Sequence, residues 1–182
     1  RSPGAARAEA DWSNAAFFLC AGGVQVSGLD PTSPQGDRAV AEMMKRFGKP
    51  PRGADVDVSD TPDLAPALAL LGVAAAGTTR LLNAGRLRLK ESDRIAGIVE
   101  TLRALGAEIY AEGDAIVIRG GKRLKGGTVD SRNDHRIAMM AACAACLADG
   151  PVTIAGAEAV NKSYPGFFDD LRRLGLAVET EV

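Results

Sequence analysis

Charged and polar side chains crowd a few short stretches of this sequence, and each stretch opens an apolar run. The densest is Lys90-Glu91-Ser92-Asp93-Arg94, which leads into residues 95–105. There Ile95, Ile98, Val99, Leu102 and Leu105 recur at helical spacing and define one apolar face. Ser92 or Asp93 supplies the N-cap. Lys90 and Arg94 then stand at the amino end of a helix, where the peptide dipoles already leave positive charge. A cation there costs between a few tenths and about 1 kcal/mol. Placing two makes sense when an anion sits between them and the free N–H groups. A solvated charge run at a helix start accounts for the same residues without a ligand.

Thr61-Pro62-Asp63 is a second helix opening, with Thr as cap, Pro at the first position and an acid in the first turn. Asp63 is explained by capping alone. Beside cations, the same carboxylate stays ionised and can take a proton from a hydroxyl. Asn133-Asp134-His135-Arg136 opens a third helix, with Asn133 or Asp134 as the cap. Arg136 offers a planar fork for carboxylate or phosphate. His135 is the only histidine, and a lone histidine serves more often in structure than in catalysis. Lys162, in Asn161-Lys162-Ser163-Tyr164-Pro165, reads either as a surface lysine or as an anchor for an anion. Glu91 either balances local charge or exchanges a proton at a pKa set by Lys90 and Arg94.

Other chemistry is poorly supported. Cys143 and Cys146 fit a C-x-x-C spacing inside an apolar helix, with no second pair and no suitably spaced histidine, so core packing is expected and no metal. There is no P-loop, dinucleotide fingerprint or nucleophile elbow. With 22 basic and 23 acidic residues the net charge is -1, which speaks against nucleic acid or a membrane surface as a partner. Aromatic residues make up 4%, too few for base-stacking platforms. Cys20, Cys143 and Cys146 all sit in apolar runs, which suits a reducing, cytoplasmic setting. No signal peptide or membrane span is legible. Residues 1–10 read as a frayed end or severed linker, and residues 11–182 as a single domain.

The elements that position these side chains repeat three times. A short strand follows an apolar helix at residues 24–28, at residues 77–83 and at residues 150–156. A polar side chain comes six or seven residues later: Gln35, Lys90, Lys162. A second helix then ends at Gly48, Gly106 and Gly175. The first helix of each unit (residues 15–21, 64–76 and 137–147) is apolar all round and must be covered on every side. The second (residues 39–47, 95–105 and 167–174) is amphipathic. Further strands are expected at residues 56–58, 108–110, 115–118 and 176–180, with a hairpin turn at Glu112-Gly113-Asp114. The expected fold is an α/β pseudo-threefold repeat of βαβαββ-type units, with three buried parallel helices and small sheets outside. Rotation would gather Asp11, Ser13, Asp63, Lys90, Arg94, Asp134, His135, Arg136 and Lys162 at one end.

The sequence resembles the 5-enolpyruvylshikimate-3-phosphate synthase family. The match lies in residues 11–19, Gln35-Gly36-Asp37, Pro62-Asp63, residues 88–94, Asn133-Asp134-His135-Arg136, and Lys162 ahead of Tyr164-Pro165, in the family's order. The resemblance implies one domain of an inside-out barrel. It also implies transfer of the enolpyruvyl group of phosphoenolpyruvate to the 5-hydroxyl of shikimate 3-phosphate, by addition and elimination, without a cofactor. By resemblance, Arg94 and Arg136 hold the phosphoenolpyruvate carboxylate and Lys162 meets its phosphate. Asp63 accepts the 5-hydroxyl proton, Glu91 exchanges a proton with the methylene carbon, Lys90 contacts shikimate 3-phosphate, and His135 lines the site. Family members are about twice as long, in two similar halves. Their N-terminal Lys-Ser segment and Ser-Ser-Gln phosphate site have no counterpart here. The expectation is therefore an isolated C-terminal half, whose partner is the missing N-terminal half, and which is inactive alone. Two alternatives are a half of the related UDP-sugar enolpyruvyl transferase, against which the two charged motifs argue, and a non-catalytic module binding a phosphorylated metabolite or RNA ends.

Overall fold

The computed structural model describes residue 4 and residues 8–180, so most of the expected linker lies outside the described residues. Three apolar helices form the centre: α1 (Trp12–Ala21), α3 (Ala65–Ala74) and α5 (His135–Ala144), each packed on the other two. Residues 65–73 of α3 and all of α5 are buried. That is why neither shows an amphipathic pattern. A 3₁₀ turn, Pro62–Leu64, leads into α3 and packs against α1.

The amphipathic helices are α2 (Val40–Phe47), α4 (Arg94–Ala104) and α6 (Phe167–Arg173). Ile95, Ile98 and Leu102 of α4 are fully buried, as the spacing requires. In α6, Phe167 stacks edge-on against Tyr164 and Phe168 at centroid distances of 5.6 and 5.4 Å.

One sheet has the order β1-β2-β4-β3, from β1 (Asp55–Asp57), β2 (Gly77–Leu82), β3 (Glu108–Glu112) and β4 (Ala115–Gly120). β1 and β2 are parallel, and the other pairings are antiparallel. A second, parallel sheet joins β5 (Gly127–Asp130) to β6 (Val152–Ala155). In both, the parallel pair flanks an apolar helix and is extended by one bridge, Arg52 with Ala76 and Leu124 with Ala148. This is the repeat in three dimensions. α3 lies close on β4: a Cβ at Gly120 would fall 2.0 Å from the Gly72 carbonyl oxygen, and one at Gly72 would fall 2.9 Å from Ile118 Cδ1.

Two expected strands are absent. Residues 24–28 and 176–180 carry alternating apolar residues but join no ladder. A strand needs a partner, and among the described residues neither has one. The link from α2 to β1 is short, whereas α4 reaches β5 through the β3–β4 hairpin. Residues 24–28 therefore lack the neighbour that β4 gives β2. Conversely β5, with only Val129 buried, had no periodic signal to announce it.

Candidate functional site

The openings of α3, α4 and α5 meet. Asp93 caps α4 by accepting from Ala96 N at 3.1 Å. Asp134 caps α5 by accepting from Arg136 N at 2.9 Å. Pro62 fixes the 3₁₀ turn that presents Asp63. Each cap is set by local sequence, and together they place six charged side chains within contact of one another.

Arg94 is the centre. It is 1% exposed although it is the first residue of its helix. Its Nε and Nη2 donate to Asp134 Oδ2 and Oδ1 at 2.8 and 3.2 Å. Its Nη1 donates to Asp63 Oδ1 at 2.8 Å, and Nη2 also donates to Glu91 Oε2 at 2.5 Å. The anion that a cation at a helix start calls for is thus supplied by the chain itself. Asp63 in turn meets Lys90 Nζ at 3.0 Å and Arg136 Nη2 at 3.5 Å, while Arg136 Nη1 donates to the Asp63 carbonyl at 3.2 Å. Ser92 Oγ donates to Asp134 Oδ2 at 3.0 Å, closing the turn onto α5. His135 Nδ1 is buried without a hydrogen-bond partner, 4.0 Å from Glu91 Oε1.

The surroundings move the titrating groups. Burial pushes the Asp63 carboxyl upward, but Arg136, Lys90 and Arg94 outweigh it and hold it below its ordinary value. Asp134 behaves likewise: burial raises it, and the Arg94 bonds, helped by Arg136 N–H and Ser92, bring it down. Burial, then the Arg136 charge, lowers His135 and favours the neutral ring. Burial lifts the Cys20 thiol to about 12 and the Cys143 thiol further still, so these cysteines are inert core groups. No cluster of metal-ligating side chains occurs among the described residues.

The repeat explains where Lys162 lies. Its Nζ donates to both the carbonyl and the amide oxygen of Asn133, the latter at 2.7 Å, immediately before the α5 cap. Lys90, its counterpart, reaches Asp63 ahead of α3. Gln35, the third counterpart, accepts from Trp12 N at 2.9 Å and donates to Ala10 O at 2.9 Å, at the start of α1. Each residue returns to the opening of the apolar helix of its own unit. Asp63, Lys90, Glu91, Arg94, His135 and Arg136 are therefore brought together, and Lys162 joins them through Asn133. Asp11 and Ser13 are not part of this network. Asp11 caps α1, and Ser13 Oγ donates to Asp37. Arg86 turns away to the Ser59 carbonyl at 3.3 Å.

The sequence marks Asp134 as a cap and as one of the residues gathered at the shared end, but not as a partner of Arg94. Its grip on Arg94, 40 residues distant, left no local signal.

The pattern of the family described as EPSP synthase (3-phosphoshikimate 1-carboxyvinyltransferase) matches residues 1–171. The chain belongs to the EPSP synthase family. A 3-phosphoshikimate 1-carboxyvinyltransferase of Clostridium kluyveri is 43% identical over 185 residues, covering 92% of this chain and 43% of that protein. One from Halobacterium salinarum is 42% identical over 190 residues, covering 91% and 44%. Among solved structures, EPSP synthase from Acinetobacter baumannii superposes with a TM-score of 0.80 at 29% identity, covering 92% of this chain and 46% of that one. The enolpyruvyl transferase NikO from Streptomyces tendae shares the fold, with a TM-score of 0.67 at 23% identity. The chain spans less than half the length of the EPSP synthases it matches.

Proposed function

We propose that residues 11–182 form the C-terminal domain of a cytoplasmic 3-phosphoshikimate 1-carboxyvinyltransferase, a shikimate-pathway enzyme that makes the precursor of chorismate and the aromatic amino acids. Its substrates are phosphoenolpyruvate and shikimate 3-phosphate, and its partner is an N-terminal half. The observation that carries this reading is the convergence of Lys90, Arg94 and Arg136 on the single carboxylate of Asp63 in a chain of this family.

In the proposed reaction the 5-hydroxyl oxygen bonds to C2 of phosphoenolpyruvate while a proton goes to its methylene carbon. The phosphate then leaves and the methylene proton is withdrawn. Arg94 and Arg136 hold the carboxylate, and Lys162 meets the phosphate. Lys90 contacts shikimate 3-phosphate, Glu91 serves the methylene proton, and Asp63 takes the hydroxyl proton. His135 stays neutral against Glu91. As it stands, Asp63 is a poor base, because three cations stabilise its ionised form. For Arg94 to take a substrate carboxylate, Asp63 or Glu91 must release it. Where Asp63 gives up Arg94 and Arg136 to that carboxylate, two of its three stabilising cations are lost and it rises toward its ordinary basicity, so binding one substrate arms the base for the other.

Half a cleft cannot close over its substrates or exclude water. The chain alone is therefore expected to bind phosphoenolpyruvate weakly and not to turn over. A ¹⁵N-labelled chain titrated with phosphoenolpyruvate should shift Arg94, Arg136 and Lys162 signals. Adding the N-terminal half of a relative should give phosphate release that needs shikimate 3-phosphate and ignores UDP-sugars. Turnover by the chain alone, or no shift at those residues, sinks the reading.

A further inference from the structure

We propose that Asn133 is a positioning residue: it aims the Lys162 ammonium with neutral acceptors only, leaving that charge free for an anion. The proposal rests on the reading of Lys162 as a phosphate partner.

Asn133 has φ 55° and follows Arg132 at φ 56°. Non-glycine residues are uncommon in this left-handed region, and asparagine is among the few that tolerate it. The turn is firmly held. Ser131 Oγ accepts from Asn133 N at 3.1 Å and donates to Gly156 O at 2.8 Å. Arg132 N donates to Asp130 Oδ1 at 2.7 Å, and its guanidinium pairs with Glu100. Held this way, Asn133 directs both its backbone carbonyl and its amide oxygen to Lys162 Nζ.

The contrast with the other cations gives this geometry its meaning. Lys90, Arg94 and Arg136 each contact a carboxylate. Among the described residues Lys162 contacts none. The acid next in sequence, Asp134, is fully buried and taken up by Arg94, Ser92 and Arg136 N. An ammonium has three donors. Two go to neutral oxygens, which fix its direction without cancelling its charge, and one remains for a ligand.

Asn133→Asp and Asn133→Gly test this in the whole chain. Aspartate tolerates the same backbone conformation and keeps an acceptor in place. If Asn133 only makes a turn, Asn133→Asp binds inorganic phosphate and phosphoenolpyruvate as wild type does, and the proposal falls. If it keeps Lys162 unpaired, the new carboxylate captures the ammonium and affinity for both ligands drops roughly tenfold or more, with far-UV circular dichroism unchanged. A readout without ligand follows the Lys162 ammonium signal in a ¹⁵N-lysine-labelled chain. Protons held by two acceptors should exchange slowly in wild type and faster in Asn133→Gly. An ammonium signal indifferent to Asn133→Gly overturns the proposal whether or not a ligand binds. A wild-type chain that binds neither ligand defeats the functional reading, and the anion role of Lys162 with it, while the exchange measurement still decides whether Asn133 holds the ammonium.

Discussion

Replacing Asp134 by asparagine removes one unit of charge from a fully buried position while changing almost no volume. Arg94, itself 1% exposed, loses its bidentate counter-charge, and an amide NH₂ is brought against guanidinium N–H groups. Breaking one partner out of a buried ion pair costs about 3–5 kcal/mol. Arg94 keeps Asp63 and Glu91, both partly exposed, which puts Asp134→Asn at the low end, about 3 kcal/mol. Asp134→Ala also loses the α5 cap and should cost about 1 kcal/mol more. For a chain of this size the asparagine variant corresponds to a fall of roughly 6–12 °C in thermal midpoint. Urea denaturation, with the slope unchanged, measures it directly. The pH dependence supplies a second check. Asp134 sits below its ordinary pKa in the fold, so the unfolded chain takes up the proton first as pH falls. Its stabilisation is complete above about 3.9, the unfolded value, and is lost as pH drops through the folded value. The gap between wild type and Asp134→Asn should therefore narrow in acid. A variant within about 1 kcal/mol of wild type, or a gap that holds its width in acid, refutes Asp134 as the resident counter-charge of Arg94.

Two further outcomes are expected. Gly120→Ala would drive a Cβ to 2.0 Å from the Gly72 carbonyl oxygen, forcing α3 and β4 apart at a cost of about 3 kcal/mol; a urea midpoint equal to wild type would contradict the close packing of that helix on the sheet. With a thiol reagent on the native chain, Cys146 alone should react at first, because Cys20 and Cys143 are buried and Cys146 is exposed. Early labelling of all three, read by mass spectrometry, would mean that the central helices open readily.

The sequence reveals this fold unevenly, for physical reasons. Helix openings were plain because caps are local: Asp93 and Asp134 cap α4 and α5, whereas Thr61-Pro62-Asp63 opens a 3₁₀ turn ahead of α3 in which the Thr61 side chain makes no capping bond. The repeat led to the expectation that the helix starts share one end: the openings of α3, α4 and α5 do meet, while that of α1 stays outside their network. Strands were harder, because pairing is not a local property. Val24 and Val26 alternate correctly without a ladder, and Gly127–Asp130 forms one with little alternation. The burial of Arg94 was also hidden. A charged residue at a helix start reads as solvated until Asp134, Asp63 and Glu91 are seen around it. Lys162 was legible as a candidate anion anchor, but its two contacts with Asn133 depend on a backbone conformation that left no local signal.

The pairing of Lys90, Arg94 and Arg136 with Asp63, Glu91 and Asp134 also bears on how quickly a ligand finds the site. Three opposite charges matched at contact distance cancel one another at range, and beyond about 10 Å ordinary salt erases what is left. Those six charges draw no anion in from solution, and among the described residues of the site only the Lys162 ammonium, which meets neutral oxygens, keeps an uncancelled charge. A small metabolite meets that ammonium first and reaches Arg94 only by trading places with a carboxylate already there. Association should then depend on ionic strength as for a single charge, with selectivity residing in how long the visitor stays.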